Sequence, residues 1–249
     1  MLTLSDIIGQ DAAMARIQGA LTGRRMPHAF IFAGPSGVGR RTTATALAAA
    51  MLCSRPERSG GEGSGDAFLD ACGECEDCRM VAAGSHPDLH PIYKELAAYH
   101  EDSKVRERKM QDLGIDVIRQ FLITPAGQAA ARRRGKVFLV LESELMSEPA
   151  QNALLKTLEE PPRGVTIVLV CRDLGRLLPT TLSRCALVRF GPLPASFVAE
   201  RLRAAGMDAE EARFWAAMTE GSIGEGLRLS ELGLHETKRT VLERIAEGP

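Results

Sequence analysis

Apolar residues along this chain fall into short runs separated by stretches of helical spacing. Ala29 to Ala33, Leu89 to Tyr93, Val137 to Leu141, Val165 to Val170 and Ala186 to Phe190 are too short for core helices and rich in β-branched and aromatic residues. Such runs predict strands, and the continuous ones at Ala29, Val137 and Val165 are of the kind buried on both faces. Between them, Ala13, Ile17 and Leu21 recur at helical spacing, Thr42 to Leu52 is dense in Ala and Leu, and Ile115 opens an amphipathic stretch ending near Pro125. Asn152 to Pro162 presents Ala153, Leu154 and Leu158 on one face and is stopped by two prolines. Strands alternating with helices predict an α/β fold: a five-stranded parallel sheet with helices on both faces.

From Pro192 the pattern changes to short helices. Ser196 to Ala205 and Ala209 to Thr219 are amphipathic, with Phe197, Val198, Leu202, Phe214, Trp215 and Met218 as expected core. Gly221-Ser222-Ile223-Gly224 opens a third helix running toward Leu232, and His235 to Glu247 begins a fourth. The expected organisation is residues 1–191 as the α/β domain and 192–249 as a small all-α lid.

Composition narrows the class. An apolar fraction of 45% suits a globular chain of 249 residues. A formal net charge of −1 argues against a global nucleic-acid-binding surface, leaving local patches or an assembly. No run of 18 apolar residues and no signal-like N-terminus occur, so the expectation is a soluble cytoplasmic protein with no membrane partner.

The first strand leads into Gly34-Pro-Ser-Gly37-Val-Gly39-Arg40-Arg41-Thr42-Thr43, followed by a helix. The glycine spacing is that of a phosphate-binding P-loop, G-x-x-x-x-G-K-[ST], in its required strand–turn–helix setting. Gly34, Gly37 and Gly39 suit a loop whose N–H groups turn inward at a helix N-terminus. Arg40 stands at the lysine position and Arg41 at the hydroxyl position that would hold Mg²⁺. Arginine offers no acceptor to a dication and adds repulsive charge, so efficient hydrolysis is not expected and ATP or ADP binding is left open. The strand at Val137 is of Walker B type, with Leu141 at the Asp position and Glu142 at the Glu position.

Four of the six cysteines, Cys53, Cys72, Cys75 and Cys78, are clustered. Two C-x-x-C steps sharing Cys75 point to a closed, structural zinc site, with Cys53 as fourth ligand and His86 as the alternative. Two basic stretches, Lys104-Arg106-Arg108-Lys109 and Arg132-Arg133-Arg134-Gly135-Lys136, are read as solvated surface and a solvated turn.

Ile8-Gly9-Gln10, His28-Ala29-Phe30, the glycine loop, the cysteine cluster, His86-Pro87-Asp88, Asn152 to Pro162 and Ser183-Arg184-Cys185 together resemble the clamp-loader subunits of bacterial DNA polymerase III, within the AAA+ group. The resemblance covers nearly the whole chain. It implies a P-loop NTPase (AAA+) sheet and lid, and a choice between hydrolysing gamma/tau-type and non-hydrolysing delta-prime-type subunits. Active members carry an arginine in the lid helix where this chain has Gly224. Arg40, Arg41, Leu141 and Gly224 beside an intact Arg184 match the delta-prime type. Implied partners are gamma/tau and delta subunits, and, through the complex, the sliding clamp and primed DNA. Arg184 is then an arginine finger acting in trans on a neighbour's ATP. The family's C-terminal collar domain has no room in 249 residues. A gamma/tau-like ATPase with a variant loop and a zinc-stabilised interaction module are the competing expectations.

Overall fold

The computed structural model describes residues 2–23, 26–59, 68–107 and 111–233. Two compact units emerge: Met1–Ala33 with Arg40–Arg189, and Gly34–Gly39 with Phe190–Pro249.

In the first unit, helix α1 (Asp11–Thr22) leads to strand β1 (Ala29–Ala33), followed after the glycine loop by α2 (Arg40–Leu52). A small antiparallel hairpin, β2 (Glu57–Ser59) and β3 (Phe68–Asp70), precedes α3 (Glu76–Ala82) and β4 (Leu89–Ile92). Short helices α4 (Ser103–Arg106), α5 (Ile115–Ile118) and α6 (Thr124–Ala126) follow, a π-helical turn at Arg119–Ile123 joining the last two. Then come β5 (Lys136–Val140), α7 (Glu148–Glu159), β6 (Val165–Cys171), α8 (Pro179–Leu182) and β7 (Ala186–Arg189).

The five long-range strands form one sheet in the order β4-β5-β6-β1-β7. Every pairing in it is parallel, with Ile31 opposite both Leu169 and Leu187, and Phe138 opposite Ile167. Since β1, β5 and β6 are buried along their whole lengths, both faces must be covered. Ala29, Ile31, Phe138, Val140, Ile167 and Leu169 share one cluster with Ile118, Leu122, Leu154 and Leu158. The alternation of strand side chains sends Phe30 and Phe32 to the opposite face, and α2 packs on β1, β5 and β6.

Some boundaries move. Helix α2 begins at Arg40, and α7 begins at Glu148, where Ser147 accepts from the Ala150 N–H at 3.4 Å and Pro149 fits the first turn. Strand β5 ends at Val140, so Leu141 and Glu142 lie beyond it, Glu142 in a left-handed turn at φ 52°. The hairpin β2–β3 is unanticipated: β2 lies in the polar stretch that opens at Ser54, and β3 is the short Phe68-Leu69-Asp70 just past it. Its carrier is Asp70, 7% exposed, whose carboxylate accepts the N–H groups of Leu4 and Ser5 at 2.9 Å each. Gln18 adds paired bonds to the Leu69 backbone, at 3.0 Å to its carbonyl and 2.9 Å from its N–H.

The second unit contains α9 (Ala195–Ala204), α10 (Ala209–Met218) and α11 (Ile223–Glu231). Val198, Leu202, Ala212, Trp215 and Ala216 are buried apolar side chains of these helices. Met218, expected in that core, is 62% exposed, and Phe197 and Phe214 are half-buried. At its place in the last turn of α10, Met218 falls outside the apolar stripe that carries Ala212, Trp215 and Ala216. The helix anticipated from His235 lies outside the described residues, as do Arg108 and Lys109. Among the described residues no helix is long and apolar enough to cross a membrane.

Candidate functional site

The glycine loop leaves the carboxyl end of β1, where open α/β sheets hold their ligands. Gly37 adopts φ 71°, a left-handed conformation glycine takes without strain. Its surroundings also require glycine: a Cβ there would stand 2.1 Å from Ser222 Oγ and 2.8 Å from the Gly224 nitrogen. The Gly224 N–H donates to the Gly37 carbonyl at 3.3 Å. A Cβ on Gly34 would likewise meet the Phe190 carbonyl oxygen at 2.4 Å. The turn that opens α11 thus lies backbone to backbone on the loop, at the position where the resemblance implies an arginine.

At the start of α2, Arg41 and Thr42 are exposed while Arg40 is half-buried. Arg40 Nη1 is buried and makes no hydrogen bond. Burial pushes the Arg40 guanidinium below its ordinary pKa and Glu144 pulls it back, but an arginine stays charged. Glu144, 8% exposed, accepts from the Arg172 N–H at 3.1 Å. Next to it, Cys171 is fully buried at the end of β6, its thiol pushed up by burial first and by Glu144 second. The buried carboxylate whose charge acts on Arg40 is thus Glu144, without an ion pair between them, and Glu142 is exposed. Sequence reasoning missed Glu144, although a second acid two residues past Glu142 was the available signal.

The four clustered cysteines converge. Their sulfurs all lie within 4.8 Å of one another. Cys53 and Cys72 are 3.5 Å apart, Cys53 and Cys75 3.7 Å, and Cys72 and Cys78 4.0 Å. A tetrahedron of sulfurs ~2.3 Å from a zinc ion has edges of about 3.8 Å, so the donor set matches in number, chemistry and size. Backbone N–H groups of Cys72, Cys75 and Cys78 point at the sulfurs of Cys53, Cys72 and Cys75 at 3.5, 3.4 and 3.4 Å. At Cys75 burial raises the thiol pKa, but hydrogen bonds from Ser54 and Cys78 outweigh it and leave the group at about 5. Cys78 and Cys53 are pushed up, chiefly by burial.

His86 is elsewhere. Its Nε2 faces Asp77 Oδ1 at 3.4 Å and its Nδ1 accepts from the Asp88 N–H at 3.1 Å, so Cys53 completes the thiol set. The basic turn is mostly engaged rather than solvated. Arg132 pairs with Glu76 and Asp77 at 2.6 Å each, Arg134 donates to the Ser54 carbonyl at 2.9 Å, and Lys136 is buried with its ammonium on the Pro125 carbonyl at 2.8 Å. Arg133 is exposed.

Arg184 sits between α8 and β7 with its side chain 32% exposed. Its Nε donates to Glu159 Oε1 at 2.9 Å and its Nη2 lies 2.6 Å from the same oxygen. Nη1 donates to the Thr180 carbonyl at 2.8 Å and the Ser183 hydroxyl at 3.1 Å.

Residues 9–194 match the family model described as DNA polymerase III, delta subunit. The chain is 34% identical over 221 residues to DNA polymerase III subunit delta' of Pseudomonas aeruginosa, covering 88% of this chain and 60% of that protein. It is 32% identical to the Escherichia coli subunit delta', covering 88% and 59%. With E. coli subunit tau it shares 32% identity over 183 residues, 74% of this chain and 24% of tau. The chain thus spans about 60% of the length of its delta' relatives. Among solved structures, the Holliday junction branch migration motor RuvB of Thermotoga maritima shares the fold, with TM-score 0.53 at 14% identity, covering 92% of this chain and 63% of that one.

Proposed function

The chain belongs to the DNA polymerase III delta subunit family, as a delta-prime-type clamp-loader subunit with an AAA+ fold, and from that premise we propose that it loads the sliding clamp without hydrolysing ATP itself. Its partners in this reading are gamma/tau and delta subunits, the clamp and primed DNA. Its chemical contribution is Arg184, offered to ATP held by an adjacent gamma/tau-type subunit.

One observation supports the non-hydrolysing reading: the residue at the P-loop lysine position, Arg40, is half-buried with its Nη1 unpartnered, in the field of the chain's own Glu144. A P-loop lysine reaches the β- and γ-phosphates. Here an internal carboxylate offsets the cation, and the hydroxyl that would hold Mg²⁺ is replaced by Arg41. The Gly37–Gly224 backbone contact agrees, since Gly224 brings no side chain to the position where the resemblance implies an arginine. Removing an arginine finger costs roughly 10³–10⁵ in rate in other phosphoryl-transfer systems. We therefore expect Arg184→Ala in a reconstituted loader to abolish most turnover at the neighbouring site. Mg²⁺-dependent ATP turnover by the purified subunit at ordinary rates would instead make it a gamma/tau-like ATPase, a reading favoured by the 32% identity to tau.

The cysteine set is assigned a structural zinc ion, held by Cys53, Cys72, Cys75 and Cys78. Four thiolates leave no open position for water, so the ion's contribution is to fix the hairpin and α3 rather than to react. Clustered thiols outside disulfides suit a reducing compartment, which supports the reading of a cytoplasmic protein.

A further inference from the structure

We infer that Glu159 is a positioning residue for Arg184, setting the guanidinium in place before any partner's nucleotide arrives. This rests on the reading of Arg184 as a finger in trans. A guanidinium has five N–H donors. On Arg184, Nε faces Glu159 Oε1, Nη1 has two acceptors in Thr180 and Ser183, and Nη2 lies against the same Glu159 oxygen. That leaves one Nη2 hydrogen to reach outward, the donor a single phosphate oxygen needs.

The bracket around it is rigid for a stated reason. Glu159 is the last residue of α7, and Thr180 and Ser183 belong to α8 and its C-cap. Gln151, 2% exposed, joins the two elements. Its amide nitrogen donates to the Met146 and Arg176 carbonyls at 3.2 and 3.0 Å, and its oxygen accepts from the Leu178 N–H at 2.8 Å and the Thr181 hydroxyl at 3.4 Å. Glu159 therefore holds the arginine from one element while Thr180 and Ser183 hold it from the other. An unrestrained arginine carries rotamer entropy that would otherwise be lost in the transition state.

The test uses a loader reconstituted with the full-length subunit and follows ATP turnover at the neighbouring site. A misplaced catalytic group costs about 10²-fold or less when the error is near 1 Å. Glu159→Ala should thus lower kcat roughly 10- to 100-fold at unchanged KM. Glu159→Gln, which keeps an acceptor oxygen, should recover most of that loss. Glu159 is half-exposed at a helix end, and thermal melts of both variants should match the parent. If Arg184→Ala is crippled while Glu159→Ala is normal, the positioning role is wrong and the finger stands. If Arg184→Ala turns over normally, the finger reading itself fails and Glu159 loses its role with it. A rise in kcat for Glu159→Ala would make the carboxylate a latch, and a raised KM or lost assembly would make it an interface residue; either overturns the proposal.

Discussion

Replacing Asp88 with alanine should loosen the cysteine-bearing helix α3 from the sheet edge without touching a cysteine. Asp88 is fully buried and accepts the N–H groups of Ala131 and Arg132 at 2.8 and 2.7 Å. Those bonds hold the turn from which Arg132 reaches Asp77 and Glu76 on α3. Truncation strips two backbone donors of their acceptor, at ~1–3 kcal/mol each. Because Ala131 and Arg132 are partly exposed, water recovers some of this, and the expected loss is about 2–4 kcal/mol. For a chain of this size that is a fall of roughly 5–15 °C in Tm. Asp88→Asn should lose about half as much, since its single oxygen satisfies one donor and its amide confronts the other. Urea unfolding followed by circular dichroism gives the loss as a shift of midpoint at constant m. Amide exchange across Glu76–Ala82 should quicken in step. A stability change below ~0.5 kcal/mol for the alanine variant, the range of ordinary surface substitutions, would refute the anchoring role.

Metal analysis separates the two candidate fourth ligands: Cys53→Ser should fall well below the roughly one zinc per chain of the parent, whereas His86→Gln should retain it. His90, stacked on Phe138 at a centroid distance of 4.7 Å, is held below its ordinary 6.5 by burial first and Lys136 second. The unfolded chain then binds the extra proton in the window between that depressed value and 6.5, so stability should rise with pH through the window and decline as pH falls through it. Urea midpoints at about pH 5 and 7 should differ for the parent and differ less for His90→Gln.

The sheet was legible because burial on both faces leaves continuous apolar runs, as in Val165–Cys171. The cysteine set was legible because two-residue spacers bring sulfurs together locally. What escaped reading depends on pairing across distance. The β2–β3 hairpin is fixed by Asp70 and Gln18, whose partners lie 66, 65 and 51 residues away, and its own residues carry no apolar alternation. Glu159 and Arg184 are 25 residues apart, and Gln151 sits one position outside the motif that marks its helix. Lys136 opens a strand, which drew its charge into the buried edge despite the basic turn before it. Met218 shows the same limit in the helical unit, where its hydrophobicity does not decide its face.

Gly34 and Gly37 meet Phe190 and the Ser222–Gly224 turn at distances that admit no Cβ. The spacing that advertises a phosphate loop is therefore also the specification of a mechanical joint between two stretches of chain. A side chain at Gly37 would be rejected whether or not a nucleotide ever entered the loop. Packing alone is enough to hold such a signature in place, and Arg40 and Arg41 stand where a substitution spares the joint.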